Sequence, residues 1–245
     1  MSEVNRQILL RKRPVGAPSI DDFEAGEGPV GVPGRDEVLL RNLYLSIDPA
    51  IRGWMSDAKS YLPPIAIGAP IRSGTLSQIV ESNADGWPVG QIVQALAGWE
   101  TYSVVSSRML HGKVKAIDGI PLSAMLSVLG GTGLTAYFGL LEVGKPMEGE
   151  TVLVSAAAGG VGSIVGQIAK IQGCRVVGLT GSDEKCAWLT DELGYDGAIN
   201  YRTANLRLAL GEACPKGIDV FFDSVGGEIL NTVLTRLNYR GRVVV

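Results

Sequence analysis

Histidine is nearly missing from this chain of 245 residues, which has one histidine and three cysteines. Zinc sites draw three or four ligands from clustered His and Cys residues, whereas His111, Cys174, Cys186 and Cys214 are scattered. We therefore expect no metal centre. We interpret His111 as a surface or strand-end residue, because no nucleophile motif accompanies it. The odd number of cysteines, without a CxxC pair, excludes a disulfide framework and indicates a reducing compartment.

An excess of either charge is also missing, since 22 basic residues stand against 25 acidic ones, for a net charge of −3. A binder of nucleic acid or anionic membranes concentrates Lys and Arg on one face, so neither partner is expected. The uncharged stretches 120–141 and 151–169 are interrupted by paired glycines and are not expected to span a membrane. With no targeting signal in the first residues, we expect a soluble, cytoplasmic protein.

Glycine is abundant instead, at 33 residues, and hydrophobic residues make up 46% of the chain. Up to about residue 121, short apolar and β-branched stretches alternate with turn residues. This pattern predicts strands at 38–45, 75–81, 92–97 and 101–105, and Gly- and Pro-rich loops at 26–34 and 61–74. The first half is therefore expected to be a β-rich barrel or sandwich.

From residue 151 the pattern changes to alternating strands and helices. Strands are predicted at 151–155, 175–179, 198–200, 218–223 and 242–245, and helices at 160–172, 183–193, 204–213 and 228–237, with further helices in 122–141. Such alternation is typical of a parallel sheet covered by helices, so we expect an α/β protein with a β-rich domain at 1–121 and a doubly wound domain at 122–245. Because the chain stops within an apolar strand, we expect it to be part of a longer protein.

The turn between the first of these strands and its helix resembles the dinucleotide-binding fingerprint GxGxxG. It reads AAAGGVG over 156–162, with Ala157 in place of the first glycine. Gly159 would let the backbone approach a pyrophosphate, and Gly162 would let the helix lie close to the strand. Because a helix N-terminus offers unpaired N–H groups and a partial positive charge, the turn favours a dinucleotide site over a merely tight connection.

The end of the second strand distinguishes NADP from NAD. An NAD site places an acid about 20 residues after the fingerprint, at the strand tip, where it binds the ribose 2′-hydroxyl. Here the strand ends in Thr-Gly-Ser, and Asp183 falls in the first turn of the next helix, with Ser182 as its N-cap. Lys185 could reach a 2′-phosphate, and Tyr201 could add a hydroxyl. We therefore expect NADP(H), although a solvated Lys185 and a packed Tyr201 are the alternative.

Several longer motifs are shared with a known family. They read SIDPAIRGWM at 46–55, GLTAYFGL at 133–140, AAAGGVG at 156–162, GQIAK at 166–170, GSDEK at 181–185 and FDSVGG at 222–227. Together they resemble the zinc-independent medium-chain dehydrogenase/reductases, and most of all the NADPH-dependent 2-alkenal, prostaglandin and curcumin reductase group. The resemblance implies a GroES-like β domain followed by a Rossmann domain, with substrate in a cleft, and homodimers are frequent in the family.

The resemblance also implies roles for individual residues. Gly159, Gly160, Val161 and Gly162 would bind the pyrophosphate, and Lys185 with Tyr201 the 2′-phosphate. Ser224 takes the place of the family's usual Asn beside the cofactor. Thr135 belongs to a motif beside the nicotinamide, and packing of its helix is the alternative. Ala50 and Gly131 replace bulkier residues of many members, which would widen the substrate pocket.

The reaction implied by the resemblance is hydride transfer from C4 of NADPH to the β-carbon of an α,β-unsaturated aldehyde or ketone, followed by protonation at the α-carbon, with no metal. Tyr61 is the one donor to the substrate carbonyl that this chain offers, and packing in its loop is the alternative. The family's carbonyl-binding tyrosine would lie beyond Val245. Two other functions stay open: a quinone reductase of the same fold, and a non-catalytic NADP-binding module.

Overall fold

Two compact units divide the chain, one covering Met1–Leu126 and the other Ser127–Val245. The coordinates are a computed structural model and describe residues 3–245. The sequence analysis predicts the domain boundary after residue 121, a few residues earlier. The difference is the 3₁₀ helix Leu122–Leu126, which belongs to the first unit.

The first unit is built almost entirely from antiparallel strands, as the sequence predicts. They are β1 (Val4–Leu10), β2 (Phe23–Pro29), β3 (Glu37–Leu45), β4 (Arg72–Ser82), β5 (Ile92–Gly98), β6 (Tyr102–Ser106) and β7 (Leu110–Lys113), with one short helix, α1 (Ala50–Trp54). Strands β3 to β7 form a sheet in the order β6-β3-β4-β5-β7, and β1 pairs with β2. His111 lies exposed on β7, in agreement with the sequence analysis.

The hairpin of β1 and β2 is a correction to the sequence analysis, which predicts a loop from residue 26. Residues 23–29 are paired along their whole length, from Leu10 opposite Phe23 to Val4 opposite Pro29. The Gly-rich composition favours a loop, but pairing with β1 overrides it. Ile8 anchors the hairpin to the rest of the unit, because its N–H donates to the Trp99 carbonyl at 2.8 Å.

The second unit is a parallel sheet with helices between its strands. After α2 (Gly131–Phe138) and a π-helical turn (Gly139–Gly144) come β8 (Thr151–Val154), α3 (Gly160–Ile171), β9 (Arg175–Thr180), α4 (Asp183–Asp191), β10 (Gly197–Asn200), α5 (Leu206–Ala213), β11 (Ile218–Phe222), α6 (Gly227–Leu234) and β12 (Leu237–Val244). The strand order is β10-β9-β8-β11-β12. The predicted α/β, doubly wound fold is confirmed.

Both faces of this sheet are buried under helices. Val152 and Val154 of β8 pack in one apolar cluster with Val165 of α3, whereas Leu153, between them, packs in a second cluster with Leu210 of α5. Because the chain runs outward from β8 to β10 and then crosses to β11, the order reverses between β8 and β11. Ligands of open α/β sheets bind at the carboxyl ends of the strands at such a switch point.

The last strand begins earlier than predicted. Helix α6 ends at Leu234 rather than 237, and Leu237 already pairs with Ile218 of β11. A register shift follows before Val220 pairs with Arg242, and Arg240 within it has a left-handed φ of 63°. The predicted strand at 242–245 is the regular second half of β12.

Within residues 3–245, the structure contains no helix that combines the length and the apolar character needed to cross a membrane.

Candidate functional site

The turn from β8 into α3 brings two stretches of backbone unusually close. A Cβ on Gly162 would lie 2.5 Å from the carbonyl oxygen of Ala156 and 2.7 Å from Cα of Ala157. Only glycine fits there, because the obstacles are backbone atoms that have little room to move. The left-handed residue of the turn is Ala156, with φ 46°, and Ala157 is fully buried, its N–H donating to the Leu179 carbonyl at 3.0 Å.

Helix α3 begins with its N–H groups pointing out of the turn. The N–H of Ser163 donates to the carbonyl of Gly159, the N-cap, at 3.0 Å. The N–H groups of Gly160, Val161 and Gly162 precede this first helical bond and have no partner within the helix. Gly159 and Gly160 are exposed, so a ligand can approach the backbone. Free N–H groups and the helix dipole together suit a phosphate.

Tyr195 fixes α3 in this position from the opposite side. Its hydroxyl donates to the Gly162 carbonyl at 2.8 Å, and its ring fills the space where a Cβ of Gly166 would lie. Burial raises the pKa of Tyr195, so the phenol stays protonated and remains a donor. Gly166 therefore makes room for the packing of Tyr195, whereas Gly162, four residues earlier, makes room for the turn.

A cavity of about 310 Å³ opens beside the turn, at the carboxyl ends of β8 and β9. It brings together Gly159, Lys185 and Tyr201, three of the residues that the sequence analysis assigns to the cofactor. Its lining consists of Ala156, Ala158, Gly159, Thr180, Gly181, Ser182, Lys185, Tyr201, Arg202 and Val225. This lining has two cationic side chains and no carboxylate, which gives the cavity a positive character.

The first acid after β9 is engaged elsewhere. Ser182 is the N-cap of α4, as predicted, and its hydroxyl accepts a bond from the Lys185 N–H at 3.4 Å. The carboxylate of Asp183 accepts a hydrogen bond from the Asn200 side chain at 2.8 Å. Asp183 therefore does not occupy the strand tip, where an acid would bind a ribose 2′-hydroxyl.

A buried hydrogen-bond network joins β8 and β11 at the switch point. The hydroxyl of Ser155 donates to Asp223 at 2.9 Å and accepts from the Ser224 N–H at 2.8 Å. The same carboxylate accepts from the N–H groups of Val225 and Gly226 at 3.0 Å. This network holds Val225 in the cavity wall and leaves the Ser224 side chain exposed beside it.

The remaining predicted residues lie outside the cavity lining. Thr135 is exposed on α2, with its hydroxyl donating to the Gly131 carbonyl at 2.8 Å. Its helix reaches the start of α3, because Thr132 lies 3.2 Å from where a Cβ of Gly160 would be. Tyr61 belongs to the first unit, is 76% exposed, and meets the Trp54 ring edge-on at 6.1 Å between centroids.

Arg202 is a charged residue of the cavity that the sequence analysis does not assign to the site. A usable signal was present, since Arg202 directly follows Tyr201 at the end of β10, next to the end of β9 in the sheet. Parallel strands bring such residues to one edge.

The first unit has a larger cavity, of about 930 Å³, between its hairpin and β3. Its charged lining is Arg6, paired with Glu27 at 3.6 Å, and Glu100. Glu100 accepts hydrogen bonds from Asn5 and Gln7, at 2.9 and 2.7 Å. Two carboxylates against one paired arginine make this cavity unsuitable for a phosphate, despite its size.

Comparison with known proteins agrees with this description. Residues 6–112 match a family described as the N-terminal domain of oxidoreductase, and residues 160–245 match one described as zinc-binding dehydrogenase. The NADPH-dependent curcumin reductase of Escherichia coli is 46% identical over 98% of this chain and 69% of its own length. The chain belongs to the medium-chain dehydrogenase/reductase family. Within the family it is similar to the reductases that its sequence motifs indicate.

Two further members show the same relation. The NADP⁺-dependent 2-alkenal reductase of Nicotiana tabacum is 40% identical over 98% of this chain and 71% of its own length. The crystal structure of CurA in complex with NADPH from Vibrio vulnificus superimposes with a TM-score of 0.88 and 42% identity, covering 97% of this chain and 70% of CurA. This chain thus spans about seven tenths of these family members.

One matching family is described as zinc-binding, so the arrangement of metal-ligating side chains in the described residues is of interest. Across residues 3–245, no cluster of three or more His, Cys, Asp or Glu side chains could hold a metal ion.

Proposed function

We propose that this protein is an NADPH-dependent reductase of the C=C bond of α,β-unsaturated aldehydes and ketones. Two of its relatives are named for NADPH-dependent reduction of curcumin and NADP⁺-dependent reduction of 2-alkenals. The observation that carries the proposal is the cavity in which Gly159, at the start of α3, meets Lys185 and Tyr201 without an intervening carboxylate.

The residues of this cavity fit a dinucleotide with an extra phosphate. The turn leaves the backbone of Gly159 and Gly160 exposed to a ligand, and the N–H groups at the start of α3, which make no bond within the helix, suit the pyrophosphate. Lys185 and the Tyr201 hydroxyl would hold the 2′-phosphate. Asp183 carries the nearest acidic side chain in sequence after β9, and its bond to Asn200 keeps it from serving a 2′-hydroxyl.

Bound NADPH would supply a hydride from its nicotinamide, which is the chemistry of the cofactor itself. The task of the protein is to orient that ring and the substrate and to exclude water. Ser224 and Thr135 are our candidates for contacts along the nicotinamide half, since the network around Asp223 holds Ser224 at the switch point. Tyr61, with an exposed ring, is our candidate donor to the substrate oxygen, where such a bond contributes about 3 kcal/mol.

The cofactor assignment is tested by Lys185→Ala, with Lys216→Ala as the matched control. Lys216 is an exposed lysine of the same unit and lies outside the cavity lining. Loss of a charge-assisted contact costs about 1.5–3 kcal/mol, so NADPH binding should weaken roughly ten- to a hundredfold in Lys185→Ala. NADH binding should hardly change. Equal losses for both nucleotides in calorimetric titrations would contradict the assignment.

The reaction is tested by following NADPH oxidation with two classes of acceptor. A medium-chain 2-alkenal should be reduced at its C=C bond, as product analysis would show, and a benzoquinone should be the poorer acceptor. Faster turnover of the quinone would instead favour a quinone reductase of the same fold. Binding of NADPH without turnover of either acceptor would favour a non-catalytic NADP-binding module.

We also infer that the protein acts in the cytoplasm as a homodimer. Its three cysteines are all free, as in a reducing compartment. Homodimers are also frequent in the family that the sequence motifs indicate. Light scattering during size-exclusion chromatography would give the mass of the particle, and a monomeric mass would refute the dimer.

A further inference from the structure

Two side chains converge on Gly181, the residue after β9. A Cβ on Gly181 would lie 3.1 Å from Nε of Arg202 and 3.2 Å from the hydroxyl oxygen of Tyr201. The central guanidinium carbon of Arg202 would be 3.4 Å from the same point. The missing side chain of Gly181 thus leaves room for a phenol and a guanidinium at one place in the cavity wall.

The backbone holds this pair in place. The N–H of Tyr201 donates to the Thr180 carbonyl at 3.1 Å, which ties the end of β10 to the end of β9. The N–H of Arg202 donates to the side-chain oxygen of Asn200 at 3.1 Å. The amide nitrogen of the same Asn200 side chain donates to Asp183. One asparagine therefore anchors the backbone of Arg202 and also binds Asp183, the first acid after β9.

The guanidinium of Arg202 has no carboxylate partner. Among residues 3–245, no Asp or Glu oxygen lies within 4.0 Å of its nitrogens. Arg202 is exposed and lines the cavity together with Lys185. A guanidinium presents a planar set of donors that matches two phosphate oxygens at once, whereas a lysine acts as a point charge.

We propose that Arg202 is a second cationic determinant of specificity for a 2′-phosphorylated adenosine, sharing this role with Lys185. The proposal rests on the proposed function and deepens it. Arg202 binds the 2′-phosphate through paired N–H donors, Tyr201 adds its hydroxyl, and Gly181 keeps the space for both. Selectivity for NADPH over NADH is therefore divided between α4 and the end of β10, and Lys185 carries only part of it.

The test compares two small nucleotides that differ by the phosphate in question, adenosine 2′,5′-bisphosphate and adenosine 5′-monophosphate. Calorimetric titration of the full chain with each reports binding without any turnover. The variants are Arg202→Gln and Arg202→Lys, with Arg207→Gln as the matched control. Arg207 is an exposed arginine of the same unit and lies outside the cavity lining.

We expect Arg202→Gln to weaken binding of the bisphosphate at least about tenfold and to leave the monophosphate within about twofold. Arg202→Lys should restore part of the loss, because the charge returns without the paired donors. Arg207→Gln should bind both nucleotides as the wild type does. Unchanged bisphosphate affinity in Arg202→Gln, or equal losses for both nucleotides, would overturn the inference.

The outcome also separates this inference from the proposed function. If the wild type prefers the bisphosphate and Arg202→Gln keeps that preference, only the role of Arg202 fails. If the wild type binds both nucleotides alike, the 2′-phosphate site itself is refuted, and the inference falls with it.

Discussion

Replacing Gly162 by alanine tests the most demanding contact of the cofactor turn. The new Cβ would lie 2.5 Å from the Ala156 carbonyl oxygen and 2.7 Å from Cα of Ala157. Both obstacles are backbone atoms of a turn whose Ala157 is fully buried and bonded to β9. The turn and the helix must therefore separate, and α3 cannot yield easily, because the Tyr195 hydroxyl holds the Gly162 carbonyl.

The expected cost follows from this geometry. Overpacking of a well-packed site costs about 1–3 kcal/mol, and each kcal/mol lowers the melting temperature by roughly 2–4 °C in a chain of this size. NADPH affinity should fall as well, because the N–H groups of Gly160 and Val161 move away from the phosphate. Thermal melting followed by circular dichroism, and NADPH titration by fluorescence, measure the two effects.

Gly197→Ala is the matched control for this substitution. Gly197 lies in β10 of the same sheet, where a Cβ would meet its nearest neighbour, Val177, at an ordinary 4.0 Å. Glycine within a strand costs about 0.5–1 kcal/mol relative to alanine, so this variant should melt at or slightly above the wild-type temperature. If Gly162→Ala melts like Gly197→Ala and binds NADPH like the wild type, the reasoning about the turn is refuted.

Two further changes test contacts within the second unit. Ser155→Ala removes both the donor to Asp223 and the acceptor of the Ser224 N–H, so it should destabilise the protein by about 1–3 kcal/mol. It should also weaken NADPH binding more than adenosine 2′,5′-bisphosphate binding, because Ser224 is the candidate contact of the nicotinamide half. Denaturation and titration check this, and an equal loss for the two nucleotides would contradict it. The hydrogen bond from Arg242, at 2.9 Å, lowers the pKa of Glu150 below its usual value, so the folded state favours the ionised carboxylate. The stability that the ionised carboxylate contributes is present above the pKa of the unfolded state, and it is lost as the pH falls through the pKa of the folded state. Glu150→Gln should therefore lower stability by about 1.5–3 kcal/mol at pH 7 and by progressively less as the pH falls below the usual pKa of a glutamate. A difference that does not depend on pH would contradict this reasoning.

The parallel sheet was readable from sequence because its signals are local and agree with one another. The prediction of a strand at 151–155, a glycine turn and a helix at 160–172 matches β8 and α3 to within a residue. An apolar β-branched run, a glycine where the helix comes closest to the strand and an amphipathic helix all favour the same strand–turn–helix structure. The β1–β2 hairpin was missed, because polar and Gly-rich strands acquire their structure only from pairing with each other and with Trp99.

The cavity residues proposed to hold the 2′-phosphate could be predicted only in part. Lys185 and Tyr201 follow from a motif and a strand end, whereas the placement of Arg202 over Gly181 depends on tertiary contacts. Spacing shows that Arg202 follows the end of β10, but its place beside the cavity also depends on the bond from its backbone N–H to Asn200 and on the space beside Gly181. The sequence shows that residue 181 is a glycine, but not that Arg202 and Tyr201 lie against it.

The most direct test of the central claim is a calorimetric titration of the wild-type chain with NADPH and with NADH. The geometry predicts saturable binding of one NADPH per chain, at least about tenfold tighter than NADH, because two cations and no carboxylate line the cavity. Folded protein that binds neither nucleotide, or that binds both with equal affinity, would contradict it.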